Sequence, residues 1–166
     1  GILSTVRHTR EASEEELLRR SEDFLNEMLS MGVTSCEIKS GYGLDLENEL
    51  KQLRVIKKLQ ETHPMDIDAT FLGAHAVPEE YKEDPDGYVD LLTEKILPAV
   101  AEEKLARCCD VFCETGAFDV PQSRKVLMAG KALGLVPRIH ADEIDSIGGA
   151  ELSAEVGALS AEHLIA

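Results

Sequence analysis

The chain carries Leu-Val-Pro-Arg-Ile-His-Ala-Asp-Glu at residues 135–143, an apolar run of strand length that ends in a histidine and an acidic turn. Two more of the five histidines, His75 and His163, stand at the ends of similar runs. Side chains at the carboxyl ends of neighbouring parallel strands converge on one mouth. The pattern therefore predicts an α/β protein whose site lies at that edge of the sheet.

Strand-like and helix-like segments alternate along the whole chain. We predict strands at residues 33–39, 67–74, 108–113, 135–139 and 158–164. Capping signals and apolar residues at helical spacing predict helices at residues 13–32, 46–63, 88–103 with a break at Pro98, 119–133 and 148–156. Such alternation, repeating every 25 to 40 residues or about five times, is typical of βα units in a parallel sheet.

Two arrangements of these units remain open at this point. One is an open doubly wound sheet, and the other is part of a (β/α)8 barrel of the TIM type. The turn after the first strand holds Gly41 and Gly43 but lacks the third glycine of a dinucleotide fingerprint. This disfavours a nucleotide-binding sheet.

Composition excludes several classes of partner. The 166 residues suit one domain, and 32 acidic against 17 basic residues give a formal charge of −15. Such a charge repels phosphate backbones and anionic lipid, so we expect no nucleic-acid or membrane partner. No apolar run reaches the roughly 18 residues of a membrane span, and no secretory pattern opens the chain.

The four cysteines indicate a reducing cytoplasm rather than a disulfide scaffold. Cys108, Cys109 and Cys113 crowd into one predicted strand, and their spacing is not that of a small disulfide-rich domain. No CxxC pair accompanies them. We interpret them as small buried residues and not as zinc ligands.

His140 and Glu143 form the strongest candidate for chemistry. A histidine at a strand tip presents a ring nitrogen to a metal ion, and a carboxylate three residues later reaches the same site as a proton-transfer group. This pair is typical of metal-assisted hydrolysis. The competing interpretation is that Asp142 and Glu143 cap the next helix and that His140 is only a buried strand-end residue.

His163 and His75 extend this candidate site. Adjacent parallel strands lie about 4.8 Å apart, so histidines at equivalent strand ends can share one metal ion or one substrate. Tyr42 lies in the glycine-flanked turn after the first strand, where its phenol points inward, although turn geometry alone also accounts for the glycines. His8 and His63 fall in loop or helix-end contexts and receive no role.

Three further charged residues lie on or directly after predicted strands. Glu37 and Lys39 share one face of the first strand, opposite Ile38, and that alternation fits either a functional role or an ion pair in the barrel interior. Glu114 follows the third strand, where a structural role and a functional role are equally compatible with its position.

Five motifs follow one another along the chain: GILSTVR at 1–7 with Thr9 and Arg10, KSGYGL at 39–44, FLGAHAVP at 71–78, DVFCE at 110–114 and HADE at 140–143. In these motifs and their order, over essentially its whole length, the chain resembles the imidazolonepropionases of the amidohydrolase superfamily. This resemblance implies a distorted (β/α)8 barrel beside a small β-sandwich. Residues 1–166 would be the central portion of that metal-dependent barrel, about five βα units.

The resemblance also implies an activity and the residues that perform it. Family enzymes use water activated by one divalent metal ion, zinc or iron, to open the ring of 4-imidazolone-5-propanoate, giving N-formimidoyl-L-glutamate in histidine degradation. His140 would bind the metal, Glu143 would contact substrate and move protons, and His163 would polarise or protonate the reacting centre. Tyr42 and His75 would hold the substrate.

Several family features would lie outside this chain. They are the His-x-His pair of metal ligands before Gly1, the ligating aspartate after Ala166, an upstream arginine for the substrate carboxylate, and the β-sandwich. Glu162 stands where the family commonly has aspartate. We therefore expect no turnover from this piece alone.

An opened barrel would leave strand edges and apolar surface uncovered, so we expect a homo-oligomer, aggregation, or a longer natural polypeptide. The alternative functions are another amidohydrolase-superfamily deaminase or cyclic amidase, and a non-enzymatic remnant domain without metal.

Overall fold

The computed structural model describes residues 1–166, which alternate between helices and short strands. The elements in chain order are α1 (Ile2–Glu11), α2 (Glu14–Ser30), β1 (Ser35–Lys39), α3 (Leu46–Thr62), β2 (Asp66–Ala74), a 3-10 turn (Glu79–Tyr81), α4 (Pro85–Leu91), a π-helical turn (Leu92–Ile96), α5 (Leu97–Glu102), β3 (Cys108–Cys113), α6 (Val120–Ala132), β4 (Val136–Pro137), β5 (Ile139–Ala141), α7 (Gly149–Val156) and β6 (Ala161–His163). No helix combines the length and apolar character needed to cross a bilayer.

Every strand pair in the sheet is parallel. The order is β1-β2-β3-β5-β6. The two-residue β4 pairs with the first part of β3, and β5 pairs with its last part. β4 and β5 thus share one position, so five strand positions follow one another in chain order. A doubly wound sheet reverses its strand order at a switch point, whereas a barrel does not. The prediction of an α/β fold that forms part of a (β/α)8 barrel is confirmed.

Local signals in the sequence set the ends of the helices. The Ser13 side chain accepts a hydrogen bond from the Glu16 N–H and starts α2, and Asp119 with Gln122 forms a complete capping box at α6. The predicted helix at 88–103 begins earlier, at Pro85, because the Asp84 side chain caps it. A π-helical turn directly precedes α5, whose second residue, Pro98, has no N–H to donate to the preceding turn.

The later strands differ from the predicted ones. The run predicted at 135–139 is interrupted at Arg138, so His140 lies within β5 rather than after it. The last strand contains only three residues. His8 lies in the final turn of α1, a helix that the sequence analysis did not predict, and His63 is the residue after α3.

The two faces of the sheet have opposite character. The outer face packs against the helices through side chains that belong to the main apolar core, among them Ile38, Ala69, Phe71, Cys109, Val111, Ile139 and Ala141. Cys108, Cys109 and Cys113 are buried free thiols, as predicted, and burial raises the pKa of Cys109. The inner face is polar and carries Glu37, Lys39, Asp68, Thr70, Asp110, Arg138, His140 and Glu162.

Candidate active site at the carboxyl ends of the strands

Five aromatic rings form a continuous row across the carboxyl ends of the strands. The ring centroids are 5.0 Å apart for Tyr42 and His75, 6.3 Å for His75 and Phe112, 6.3 Å for Phe112 and His140, and 5.4 Å for His140 and His163. The predicted convergence of the three strand-end histidines is therefore present. Phe112, which the sequence analysis did not single out, separates His75 from the pair formed by His140 and His163.

A buried carboxylate holds the His140 ring. Nδ1 of His140 lies 3.1 Å from Oδ1 and 3.0 Å from Oδ2 of Asp110, whose side chain is fully buried. With Nδ1 bonded to Asp110, Nε2 is the ring nitrogen left for another partner. Metal-binding histidines typically show this arrangement, because a carboxylate on the other nitrogen fixes the ring and its tautomer.

Lys39 completes this arrangement from β1. Its Nζ donates a hydrogen bond of 2.6 Å to Oδ2 of Asp110. Burial alone would raise the pKa of Asp110, but His140 and Lys39 outweigh it and hold that pKa below its usual range. Burial opposes the charge of Lys39 as well, yet Asp110 and Glu37 raise its pKa. Both groups are thus charged at neutral pH.

The inner face below this level is held by further ion pairs. Glu37 lies 3.3 Å from Nζ of Lys39 and 3.3 Å from Nε of Arg138, and Arg138 also lies 3.1 Å from Asp68. The interpretation of Glu37 and Lys39 as interior ion-pair residues is confirmed. Together with the Lys39–Asp110 pair, these pairs connect β1, β2, β3 and the residue between β4 and β5.

Ligand atoms of Asp110, His140 and Glu162 lie within 4.8 Å of one another. Glu162 is in register with His140 on the neighbouring strand, and one of its carboxylate oxygens accepts a 2.7 Å hydrogen bond from Ser160. Its other oxygen, Oε2, is buried without a hydrogen-bond partner. An imidazole nitrogen beside carboxylate oxygens suits a divalent transition-metal ion, and the unpartnered oxygen is consistent with a cation at this position.

Asp142 and Glu143 have different roles in the turn that follows β5. Asp142 is buried and accepts backbone N–H hydrogen bonds from residues 147, 149 and 150 at the start of α7. The capping interpretation is therefore right for Asp142. It is wrong for Glu143, whose Oε2 lies 3.5 Å from Nε2 of His163. Glu143 and His163 thus face one another at the mouth.

Glu114 connects the loop after β3 to the loop that carries Glu143. Its buried carboxylate accepts hydrogen bonds from the backbone N–H groups of three consecutive residues, Glu143, Ile144 and Asp145. The sequence left the role of Glu114 open. The structure shows that it holds the Glu143 loop in place.

Tyr42 and His75 meet at the other end of the row. Nδ1 of His75 lies 3.0 Å from the Gly41 carbonyl oxygen, which accepts a hydrogen bond from it. Burial lowers the pKa of His75, so the ring is neutral at pH 7. Gly41 has a φ of +107°, and a Cβ there would lie 2.6 Å from the Leu72 carbonyl oxygen. The turn therefore requires glycine at this position.

A second buried carboxylate, Glu49 of α3, holds the Tyr42 turn. It accepts backbone N–H hydrogen bonds from Gly41, Gly43 and Leu44. Glu49 was not among the predicted site residues, because it lies among the apolar positions of an amphipathic helix. Its only signal was that a charged residue occupies a position adjoining the buried stripe at Leu50 and Leu53.

Comparisons with known proteins agree with these motifs. No family model matches the chain. It is 59% identical over 165 residues to an imidazolonepropionase of Alkaliphilus metalliredigens, 57% over 166 residues to one of Alkaliphilus oremlandii, and 58% over 165 residues to one of Geobacillus kaustophilus. These alignments cover at least 99% of this chain but 39% of each relative. The resemblance to imidazolonepropionases is confirmed along essentially the whole chain.

Proposed function

We propose that residues 1–166 are the central portion of the catalytic barrel of an imidazolonepropionase. The whole protein would hydrolyse 4-imidazolone-5-propanoate to N-formimidoyl-L-glutamate in the cytoplasm as a step of histidine degradation. The observation that carries the proposal is the placement of His140 at a strand end, fixed by Asp110, 5.4 Å from the His163 ring. The identity to the relatives above supports the same activity.

His140 would hold one divalent metal ion, zinc or iron, through Nε2. The carboxylates of Asp110 and Glu162 lie close enough to take part or to support the ring from outside. When bound, such an ion supplies a water molecule whose pKa falls far below that of bulk water, to about 7. Histidine nitrogen and carboxylate oxygen suit both metals.

Glu143 and His163 would move the protons of the hydrolysis. Glu143 is a partly exposed carboxylate beside Nε2 of His163, so it can accept a proton from water and return it to the leaving nitrogen. His163, between Glu143 and His140, would polarise or protonate the ring at the reacting centre. Glu143 would also contact the substrate.

Tyr42 and His75 would bind and orient the substrate. The hydrogen bond from Nδ1 of His75 to the Gly41 carbonyl leaves Nε2 of a neutral ring as an acceptor for an N–H of a cyclic amide. The phenol of Tyr42 stands edge-on beside this ring, with a centroid distance of 5.0 Å. A small-molecule substrate, rather than nucleic acid or a membrane, fits a chain with a formal charge of −15.

The edge strands bear on the quaternary state. β1 and β6 are the two ends of the sheet, and each presents backbone groups without a neighbouring strand in this chain. We propose that further barrel strands of the whole protein cover these edges. The alternative is that a second copy of the protein covers them in a homo-oligomer. Light scattering of the full-length protein measures its molar mass, so a monomer would support the first explanation and an oligomer the second.

The test is metal content and turnover of the full-length protein. We expect one zinc or iron ion per chain and hydrolysis of imidazolonepropionate. His140→Ala should lose the metal and lower kcat/KM by more than about 100-fold. That is more than the 10- to 100-fold that is typical when only a group supporting a metal ligand is lost. His63→Ala, at the end of α3, is the control and should change neither quantity.

Other outcomes would favour the alternatives. A protein without metal or turnover would support a non-enzymatic remnant, and a metal-loaded protein that acts only on other cyclic amides or amines would support a related amidohydrolase. Residues 1–166 alone should show no turnover. Asp110 is already engaged by Lys39, so Nε2 of His140 and Oε2 of Glu162 are the free ligand atoms, fewer than the three protein ligands of a catalytic zinc site.

A further inference from the structure

We propose that Glu114 is a positioning residue for catalysis, which fixes the loop that carries Glu143 at the reacting centre. The inference rests on the proposed function, in which Glu143 moves a proton. The Glu114 carboxylate hydrogen-bonds to backbone N–H groups and to none of the five rings. It acts through the backbone of residues 143–145.

The geometry of this contact is that of a carboxylate bound by consecutive amides. Oε2 of Glu114 accepts hydrogen bonds of 2.9 Å from the N–H groups of Glu143 and Ile144, and Oε1 accepts one of 3.1 Å from Asp145. Oε1 also accepts a 2.8 Å hydrogen bond from the N–H of Thr115 in its own loop. Hydrogen bonds to an ionised acceptor are stronger than neutral ones, so four of them make a firm anchor.

The loop has little else to fix residues 143–145. β5 ends at Ala141, and the Asp142 side chain anchors the later part of the loop, through residues 147, 149 and 150. The Asp142 carbonyl oxygen accepts hydrogen bonds from Ile165 and Ala166, just before residue 143. Ile144 is 69% exposed and therefore contributes little apolar packing. Glu114, which is 1% exposed, supplies the fixed point from the loop that follows β3. Polar contacts rather than packing thus determine where the Glu143 side chain can reach.

The charge state of Glu114 suits this role. Burial would raise the pKa of its carboxyl group, but the backbone N–H groups of Ile144, Thr115, Asp145 and Glu143 outweigh burial and lower that pKa. A glutamine keeps the shape but places an NH2 group against at least one backbone donor, because both oxygens accept. Glu114→Gln therefore weakens the anchor, and Glu114→Ala removes it.

A double-mutant cycle in the full-length enzyme tests the proposal. Glu143→Gln should lower kcat/KM by about 10²- to 10⁴-fold, the usual contribution of a general acid or base. Glu114→Ala should lower it by about 10²-fold, the cost of misplacing a catalytic group by roughly 1 Å. In the Glu143→Gln background, Glu114→Ala should cost less than about 3-fold, since the group that it positions is already lost.

Glu49→Ala is the matched control. It removes another buried carboxylate that accepts three backbone N–H bonds, but in the Tyr42 turn. Its effect on kcat/KM should be the same with and without Glu143→Gln. If Glu114→Ala behaves in this way too, its role is only structural and the proposal is wrong.

Amide hydrogen exchange gives a readout that does not need activity. Glu114→Ala should speed exchange at residues 143–145 while β3 stays protected, and unchanged exchange there would overturn the proposal. Where Glu114→Ala fails to fold, Glu114→Gln serves in the same cycle. A folded wild-type enzyme without turnover would refute the proposed function instead, whether or not the exchange result shows the anchor.

Discussion

The outer and inner faces of the sheet differ in chemistry although their residues alternate along the same strands. On β2, Phe71 points outward into the apolar core, whereas its equally buried neighbour Thr70 points inward and donates a 2.5 Å hydrogen bond to Glu37. On β3, Val111 joins the core, whereas Asp110 binds Lys39 and His140.

This difference separates stability from chemistry. Apolar side chains on the outer face gain free energy by leaving water, at about 25 cal/mol per Å². Charges on the inner face lose hydration when they are buried, and their mutual attraction does little more than offset that loss. The inner pairs therefore contribute mainly geometry, because they fix His140 relative to its neighbours. The outer face contributes most of the free energy that holds the strands in place.

Neighbouring substitutions on β2 should show the largest contrast. Phe71→Ala should lower the free energy of unfolding by about 3–5 kcal/mol, since it removes a fully buried ring from the outer face. Thr70→Val, on the inner face, keeps the volume and loses one hydrogen bond, at a cost of about 1 kcal/mol. Urea denaturation of the two variants measures both. Equal costs would show that the two faces do not divide the stability in this way.

Lys39→Met should reveal the cost of an unpaired inner charge. It leaves the buried Asp110 carboxylate without its 2.6 Å partner, and we expect a loss of about 3 kcal/mol in the free energy of unfolding. Adding Asp110→Asn removes the unpaired charge and should restore most of that stability. Activity should stay 10- to 100-fold low, roughly the cost of losing the carboxylate that supports a metal-binding histidine, the role proposed for His140.

A surface ion pair is the control for this experiment. Arg124 bonds to Glu155 through two nitrogen atoms, and both side chains are exposed. Arg124→Gln should change the free energy of unfolding by less than about 1 kcal/mol and leave activity intact. A Lys39→Met and Asp110→Asn double variant as unstable as Lys39→Met alone would contradict the account of the inner face.

The sequence predicted those parts of the fold that local signals determine. The alternation of apolar strands and amphipathic helices, with caps at Ser13 and Asp119, located most of the helices and the first three strands within a few residues. It did not predict the break at Arg138. Pro137, which has no N–H to donate to a strand ladder, was the local signal of that break. The partners of Arg138, Glu37 and Asp68, come from two distant strands and could not be predicted from its own segment.

In the candidate site too, local signals predicted some residues, whereas others depend on contacts between distant segments. Strand-end position was enough to bring His75, His140 and His163 to one edge, and alternation was enough to place Glu37 and Lys39 on one face. The partners of these residues were not predictable in the same way. Asp110 reaches His140 only because β3 and β5 are adjacent, with Phe112 and His140 in register, and spacing along the chain does not encode register between strands.

As pH falls, the loop at residues 143–145 should become less protected against hydrogen exchange before the outer face of the sheet does. The folded pKa of Glu114 is depressed, so its contribution is full above the unfolded value of about 4.3 and is lost as pH falls through the lower folded pKa. Protection of these amides against hydrogen exchange, corrected for intrinsic rates, should fall over that window by the equivalent of about 1 kcal/mol. Val111, on the outer face, should keep its protection.

Glu114→Gln lacks the titrating group and should remove the pH dependence at residues 143–145. If that dependence persists in Glu114→Gln, another carboxyl group holds the loop. The acid sensitivity of residues 143–145, compared with the outer face, then depends on that other residue.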